Sequence, residues 1–418
     1  MIKLNIETTT VHGGQRPDPV TGAIAPPITL AKNGAFRALE DPIGIEYART
    51  QNPTREILEK QSAELEGGGE AVAFSSGIAA INCLFATLNK GDHVILGNKL
   101  YGGTVRLADL VLSKFLEIDF VDPNDIISLK NALKPNTRCI LVETPTNPLL
   151  DIIDLEALQR FSSLTGIPYV LDNTFATPYL LQGFDYGAEA IIHSTSKYLG
   201  GHDDLLGGLI VTKNSQLAEK LRLYSKTLGS TPSPFDVYNT IRGIKTLAVR
   251  MNKHCENAKK VAEFLNKHDR VSKVYYPGLP SHAGHETAKR QMRGFGGVVS
   301  FEVDSNYKQF ANAIASQKPS VIYLAESLGG VESLLTHPAT MSHAYLKPEA
   351  RAAAGIKDNL FRLSVGIENA DDIINSLKAA LEVTKPSNSG IPLISDEWNT
   401  SVKNHLHSLA LINNATGF

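Results

Sequence analysis

Short apolar runs alternate with amphipathic segments through the first half of the chain. The runs have the length and composition of buried strands, and the segments between them carry apolar residues at helical spacing. Buried strands separated by helices form a mostly parallel sheet that is covered on both faces, so the sequence predicts an α/β fold. The predicted strands are 71–74, 93–96, 118–121, 139–142, 169–172, 190–192 and 209–211, and the predicted helices begin at Thr54 or lie at 107–116, 126–133 and 155–164.

The pattern changes in the second half, where a helix-rich stretch from about 219 to 266 precedes a less regular mixture of elements. Strands and helices that do not alternate strictly are typical of an α+β domain, so we expect a second, smaller domain of that class. Its predicted strands are 271–276, 297–303 and 361–365, and its predicted helices are 307–315 and 370–383.

The ends of the chain differ from both domains. The first 52 residues are rich in glycine and proline, and such a segment cannot form a core by itself, so we expect an arm that lies on another surface. The last residues turn polar and contain proline, and no function follows from them. The expected organisation is an arm (1–52), a large domain (53–250), a small C-terminal domain (251–385) and a tail of unknown role (386–418).

Composition excludes several classes of protein. The net charge of −2, from 41 basic and 43 acidic residues, indicates no nucleic-acid partner. The 3 cysteines are far apart, which argues against a disulfide scaffold and favours a reducing compartment. No apolar stretch reaches the roughly eighteen residues that a membrane span needs, and the first residues do not resemble a secretory signal. We therefore expect a cytoplasmic protein with no membrane partner.

Candidate chemistry follows the ends of three predicted strands. Lys197 comes just after the run 190–192, between the hydroxyl residues Ser194 and Ser196, and Asp172 ends another strand. Ligands in parallel sheets bind at the carboxyl ends of strands, and a partly desolvated lysine can attack a carbonyl as a neutral amine. The stretch 75–78 follows a third strand and begins a helix, whose free amides suit an anion. A lysine beside phosphate ligands is what pyridoxal phosphate requires, with Asp172 as the counter-ion of its ring nitrogen.

Other residues have both a functional and a structural interpretation. Tyr101 is either an aromatic lid over a flat ring or a plain turn tyrosine. Arg362 lies within an apolar strand, so its guanidinium binds either a substrate carboxylate or an internal acid. His282 and His285 have the spacing of a metal pair but lack further ligands nearby, so we expect no metal. The absence of a Walker loop and of Gly-x-Gly-x-x-Gly after a strand weakens nucleotide-binding alternatives.

Taken together, these motifs resemble the pyridoxal-phosphate enzymes of cysteine and methionine metabolism, the cystathionine γ-synthase and γ-lyase group. The resemblance covers about residues 8–385. It is carried by the run 47–55 ending Asn-Pro-Thr-Arg, Ser76-Gly77, Tyr101-Gly102-Gly103-Thr104, the run 143–148 (Glu-Thr-Pro-Thr-Asn-Pro), Asp172-Asn173-Thr174, Ser194 to Lys197, the run 325–330 and the run 362–366.

The resemblance implies a role for each matching residue and an aspartate-aminotransferase-like fold (fold type I). Lys197 would be bonded to the cofactor, Asp172 would pair with its ring nitrogen, and Tyr101 would stack on the ring and act as a proton donor. Thr174 would also bind the cofactor, and Glu332 would bind a distal substrate amino group. Phosphate ligands would be Gly77, Ile78, Ser194 and Ser196, with Tyr47 and Arg49 from a neighbouring subunit; Asn147, Ser327 and Arg362 would hold the substrate carboxylate.

The shared site implies a homodimer as the catalytic unit, usually doubled to a homotetramer. Three positions depart from the family pattern: Ala48 replaces a usual serine, Ile78 a usual methionine, and Asp203 a usual serine or asparagine. The first two changes are compatible with phosphate binding through backbone amides, whereas Asp203 adds negative charge near the lysine loop.

For the activity, similarity of the run 348–356 to bacterial synthases favours cystathionine γ-synthase, which makes cystathionine from cysteine and O-succinyl- or O-acetylhomoserine. The alternative is cystathionine γ-lyase, which converts cystathionine to cysteine, 2-oxobutyrate and ammonia; cystathionine β-lyase and O-acylhomoserine sulfhydrylase are further options. Gly103 stands where methionine γ-lyases have cysteine, which speaks against that branch. From other classes, a nicotinamide-dependent dehydrogenase and a non-catalytic homologue stay open at this point.

Overall fold

The computed structural model describes residues 4–304 and 306–383. The predicted tail at 386–418 lies outside the described residues. The α-helices are α1 (Ile6–His12), α2 (Pro53–Leu65), α3 (Gly77–Ala86), α4 (Gly102–Leu110), α5 (Ile126–Ala132), α6 (Leu155–Thr165), α7 (Thr177–Leu180), α8 (Ser215–Leu228), α9 (Pro234–Ile244), α10 (Leu247–Leu265), α11 (His285–Gln291), α12 (Tyr307–Ser316), α13 (Pro348–Ala353) and α14 (Ala370–Val383).

The strands form one larger and one smaller sheet, with a separate two-stranded pair in the N-terminal segment. They are β1 (Phe36–Ala38), β2 (Asp41–Pro42), β3 (Glu70–Phe74), β4 (His93–Gly97), β5 (Glu117–Val121), β6 (Thr137–Glu143), β7 (Tyr169–Asp172), β8 (Ala190–Ser194), β9 (Gly208–Thr212), β10 (Val271–Tyr275), β11 (Val298–Val303), β12 (Ile322–Leu324), β13 (Ser333–Thr336) and β14 (Leu360–Ser364).

The larger sheet has 7 strands in the order β3-β9-β8-β7-β6-β4-β5. Strands β8, β7, β6, β4 and β5 are parallel, and β9 runs antiparallel to both of its neighbours. Strands β4 and β9 are buried along their whole length, as expected for apolar strands with helices on both faces. The carboxyl ends of β6, β7 and β8 meet at one edge: Glu143 pairs in register with Asp172, which pairs with Ile192.

Local sequence explains where several helices begin and end. The Asn52 side chain accepts a hydrogen bond from the Arg55 amide, and Pro53 follows at the first helical position of α2. Helix α6 begins after Asp154, which caps the Ala157 amide, and ends at Gly166, whose φ of 71° is a left-handed conformation that glycine adopts without strain. Each side-chain cap pairs one of the amides that a helix start leaves free, which fixes where the helix begins.

The smaller sheet has 5 strands in the order β10-β11-β14-β13-β12. Only the pair β12 and β13 is parallel in this sheet. Its core contains the buried rings of Phe301, Phe310 and Phe361, which pack with centroids 4.9 to 6.1 Å apart. Arg362 lies on β14, the central strand, so the fold fixes its backbone firmly.

The structure confirms the mostly parallel sheet and changes some boundaries. The helix predicted at 107–116 is instead α4, which begins at Gly102 and ends at Leu110 before a 3-10 turn. Because glycine is a poor helix former, the sequence placed the start of this helix after Gly102 and Gly103. The structure requires glycine at position 103, since a side chain there would collide with the Tyr101 ring. The N-terminal segment contains α1, β1 and β2, and the sequence pattern did not predict β12 or β13. No helix within the described ranges is long and apolar enough to cross a membrane.

Candidate active site

A cavity of about 540 Å³ lies at the carboxyl ends of β6, β7 and β8. Most of the residues predicted from the sequence line it, although they come from segments far apart in the chain. The three that do not line it are Tyr47, Arg49 and Glu332. Those that do are Gly77, Ile78, Tyr101, Asn147, Asp172, Thr174, Ser194, Ser196, Lys197, Ser327 and Arg362.

Lys197 is the chemically unusual group of the cavity. Burial lowers the pKa of its amine to about 8, and the positive charge of Arg362 adds to this effect. The carboxylates of Asp203 and Glu326 act in the opposite direction. Its Nζ donates a hydrogen bond to Ser327 Oγ at 2.6 Å, so the amine has a defined position. A lysine with these properties is available as a neutral nucleophile or base near pH 8.

Asp172 is a buried carboxylate whose orientation is fixed by hydrogen bonds from Thr174. Its Oδ1 accepts hydrogen bonds from the Thr174 amide at 3.1 Å and from Thr174 Oγ1 at 2.6 Å. Thr174 Oγ1 in turn accepts from the Ser194 amide at 2.9 Å, which ties the ends of β7 and β8 together. Burial raises the pKa of Asp172, whereas the bonds from Thr174 and the nearby His193 lower it. A carboxylate in this environment gains from a cationic partner in the cavity.

The N-terminus of α3 faces the same cavity. Ser76 caps this helix by accepting from the Ala79 amide at 3.1 Å. A side chain at Gly77 would approach Ser194 Cβ to 3.0 Å, so only glycine leaves the space between them open. Ser196 differs from Ser194, because its Oγ accepts a hydrogen bond from the Gly207 amide at 3.0 Å. The helix start provides amides and positive potential for an anion.

Arg362 is buried and lacks a complete set of partners. Its Nη1 donates to Asn147 Oδ1 at 2.8 Å, and its Nη2 donates to the Ser327 carbonyl at 2.6 Å and to Thr336 Oγ1 at 3.1 Å. These partners are neutral, and its Nε has no hydrogen-bond partner among the described residues. Burial lowers the pKa of Arg362 to about 10. Among the described residues Arg362 forms no internal salt bridge, which was the structural alternative, and the guanidinium has capacity for an anionic ligand.

Tyr47, Arg49 and Glu332 lie elsewhere. Arg49 lies over the Tyr47 ring, with its Cζ 5.3 Å from the centroid, and donates to the Lys226 carbonyl at 3.3 Å. Tyr47 is 39% exposed, which leaves it available to another molecule. Glu332 is exposed and immediately precedes β13.

Sequence reasoning missed several polar residues of the cavity, among them Glu143, Arg106 and Tyr345. Glu143 ends β6 in the same way that Asp172 ends β7, so the strand-end rule would have found it. Arg106 lies one turn into α4 with its Cζ 5.4 Å from the ring centroid of Tyr345. Neither Arg106 nor Tyr345 has a sequence signal, because they meet only through tertiary packing. Within the described ranges, no group of histidine, cysteine and acidic residues is arranged to hold a metal ion.

Comparisons with known proteins agree on one family. The family model for the Cys/Met metabolism PLP-dependent enzymes matches residues 7–382. A cystathionine gamma-synthase of Mycobacterium tuberculosis (strain ATCC 25618 / H37Rv) is 47% identical over 380 residues, covering 90% of this chain and 96% of that protein. A cystathionine beta-lyase of Lactococcus lactis subsp. cremoris (strain MG1363) is 45% identical over 381 residues, covering 90% and 99%. A crystal structure of cystathionine gamma-lyase from Lactobacillus plantarum, complexed with L-serine, has a TM-score of 0.88 at 42% identity and covers 91% of this chain and all of that one.

Proposed function

The chain belongs to the family of Cys/Met metabolism PLP-dependent enzymes, and we propose that within it the protein is a cystathionine γ-synthase. The enzyme uses pyridoxal 5′-phosphate. The proposed reaction joins cysteine to the γ-carbon of O-succinyl- or O-acetylhomoserine and releases the acyl group. Family membership argues against the nicotinamide-dependent alternative, and relatives named synthase, β-lyase and γ-lyase all lie close in identity.

The residues of the cavity fit this cofactor in charge and in shape. Lys197 would bond to it, and the buried carboxylate of Asp172 would hold a proton on its ring nitrogen. The amides at Gly77 and Ile78, with the hydroxyl of Ser194, would bind its phosphate at the start of α3. The open space beside Gly77 supports this assignment, since any side chain there would press on Ser194.

Two further residues predicted to bind the cofactor, Thr174 and Ser196, are already hydrogen-bonded within the protein. Thr174 would act through Asp172, to which its hydroxyl already donates. Ser196 is bonded to the Gly207 backbone, so a phosphate would have to share or replace that bond.

When bound, the cofactor supplies an aldehyde for the lysine amine and a ring that withdraws electrons from the substrate's α-carbon. Lys197 Nζ, neutral in a large share of molecules near pH 8, would take the proton from that carbon and move a proton at the neighbouring one. Ser327 Oγ orients this nitrogen. The hydroxyl of Tyr101, which lines the cavity, would donate a proton to the leaving group.

The observation that carries the choice of substrate is the presence of two arginines in one cavity. Arg362, with its unpartnered Nε, would bind the α-carboxylate together with Asn147 and Ser327. Arg106 is the second cationic side chain of the cavity and lies over the ring of Tyr345. It would bind a carboxylate at the far end of the substrate. O-Succinylhomoserine carries such a second carboxylate, whereas O-acetylhomoserine does not. Glu332 would bind the amino group of the incoming cysteine or of cystathionine.

Tyr47 and Arg49 support a homodimer as the catalytic unit. They match the family's phosphate-binding motif but do not line the cavity that contains Lys197 of the same chain. We therefore infer that they complete the cavity of a neighbouring copy, within a dimer that doubles to a tetramer.

The activity test supplies the purified holoenzyme with three mixtures: O-succinylhomoserine with cysteine, O-acetylhomoserine with cysteine, and cystathionine alone. The proposal expects cystathionine to form, fastest from the succinyl ester. Release of 2-oxobutyrate from cystathionine as the main activity would identify a γ-lyase instead, and release of pyruvate and homocysteine a β-lyase. In a fourth mixture sulfide replaces cysteine, and faster turnover there would indicate a sulfhydrylase.

Two variants provide the controls. Lys197→Ala should form no product and retain no cofactor after borohydride reduction. Arg106→Leu should raise the KM for the succinyl ester about tenfold, the loss expected for one charge-assisted bond, and leave the KM for the acetyl ester unchanged. Equal changes for both esters would contradict the assignment of Arg106 to the distal carboxylate.

A further inference from the structure

Glu143 is a buried carboxylate in the cavity that none of the proposed roles uses. It is the last residue of β6, 6% exposed, and pairs in register with Asp172 on β7. Burial and the negative charge of Asp172 raise the pKa of Glu143 well above its ordinary value. A carboxyl group in this environment is costly unless both oxygens are satisfied.

Both oxygens of Glu143 accept hydrogen bonds from the backbone of the cavity wall. Its Oε2 accepts from the Tyr101 amide at 2.8 Å, at the start of α4. Its Oε1 accepts from the Asn147 amide at 3.0 Å, in the loop after β6. One carboxylate therefore holds two separate segments of the cavity wall. The side chain of Asn147 in turn accepts a hydrogen bond from Arg362.

We propose that Glu143 is a positioning residue that fixes the aromatic ring of Tyr101 and the carboxylate-binding group of Asn147 in one relative geometry. This inference rests on the roles proposed above for Tyr101 and Asn147, but it does not depend on which member of the family the enzyme is. A purely structural role for the same two hydrogen bonds predicts a loss of stability with unchanged ligand affinity. The two functions differ in what they predict for ligand affinity.

The variant Glu143→Gln tests the proposal because it keeps the size of the side chain and removes one acceptor. The amide has a single oxygen, so one of the two backbone amides loses its partner and faces an NH₂ group. We expect the dissociation constant of pyridoxal phosphate, the KM of the amino-acid substrate, or both to rise about tenfold. Cofactor affinity is measured by titrating the apoenzyme, and KM with whichever amino acid the holoenzyme turns over.

Asp92→Asn is the matched control. Asp92, which immediately precedes β4, is also a 6% exposed carboxylate with both oxygens bonded: Oδ2 accepts from the Asn89 amide at 2.8 Å and Oδ1 from Arg138 Nε at 2.7 Å. It lies at the amino end of its strand and does not line the cavity that contains Lys197. We expect this control to lower thermal stability without changing cofactor affinity or KM.

The proposal is overturned if Glu143→Gln is folded and both constants stay within about twofold of the wild type. It is also overturned if only the fraction of active enzyme falls, as a purely structural residue would predict. If Glu143→Gln does not fold, Glu143→Asp takes its place: it keeps both oxygens on a shorter chain that cannot reach both amides, and unchanged constants would again refute the role. Cofactor affinity does not depend on the substrate, so a failure of the γ-synthase proposal leaves this test intact.

Discussion

If Lys197 bonds to the cofactor as proposed, its pKa sets the pH range in which the enzyme can bind that cofactor covalently. Burial lowers the pKa of Lys197 from an ordinary 10.5 to about 8, so the neutral amine is available at lower pH than for an exposed lysine. The capture of pyridoxal phosphate by the apoenzyme should therefore accelerate with a midpoint near pH 8. Borohydride trapping of samples quenched between neutral and alkaline pH measures this profile. A midpoint near 10.5 would contradict the assignment, and Lys197→Ala gives the background.

Asp203 modulates the same amine. Its carboxylate stabilises the charged form of Lys197 and so raises the lysine pKa against the effect of burial. Asp203→Asn removes that charge, and the capture midpoint should move to lower pH. Asparagine is compatible with the left-handed backbone at this position, where φ is 53°. Asp204→Asn is the matched control, because the adjacent Asp204 does not contribute to the Lys197 shift; equal profiles for the two variants would exclude a role for Asp203.

At the scale of elements, Arg250 on α10 holds the segment that follows the lysine. Arg250 is 3% exposed, and its guanidinium donates to the carbonyls of Tyr198 and Gly243, each at 2.7 Å. Arg250→Met should leave the Tyr198 carbonyl without its hydrogen bond, whereas the Gly243 carbonyl keeps the bonds from Thr246, and it should lower the free energy of unfolding by about 1–3 kcal/mol. Arg222→Met is the control, since the exposed pair of Arg222 with Glu70 contributes less than about 1 kcal/mol. Thermal unfolding compares them, and equal melting temperatures would refute the prediction.

The same scale shows what the sequence pattern could predict. Apolar runs that end in polar residues located Asp172 and the lysine segment, because strand ends in a parallel sheet converge at one edge. The partners of those residues could not be found in this way. Arg362 meets Asn147 across a sequence separation of 215 residues, and Arg106 meets Tyr345 only because the loop before α13 packs over α4. Such contacts depend on tertiary packing, so the spacing of residues along the sequence does not predict them.

At the scale of the whole molecule, the proposal makes the N-terminal segment part of a site that two copies of the chain share. Arg49 stacks on Tyr47 and bonds to the Lys226 carbonyl at the end of α8, and neither residue lines the cavity of its own chain. Under the proposal, these two residues bind phosphate in the cavity of a second copy. Two inactive variants, one altered at Arg49 and one at Lys197, would then be defective in different halves of the same composite site.

Mixing these variants tests the composite site directly. In a dimer of one Arg49→Ala chain and one Lys197→Ala chain, one cavity has both defects and the other has neither. Unfolding and refolding an equal mixture should therefore restore about a quarter of the wild-type activity, since about half of the dimers are mixed and each has one intact site. Each variant refolded alone is the control and should stay inactive. If Arg49 instead acts within its own chain, every cavity retains one defect, and the mixture should be no more active than the two variants measured separately.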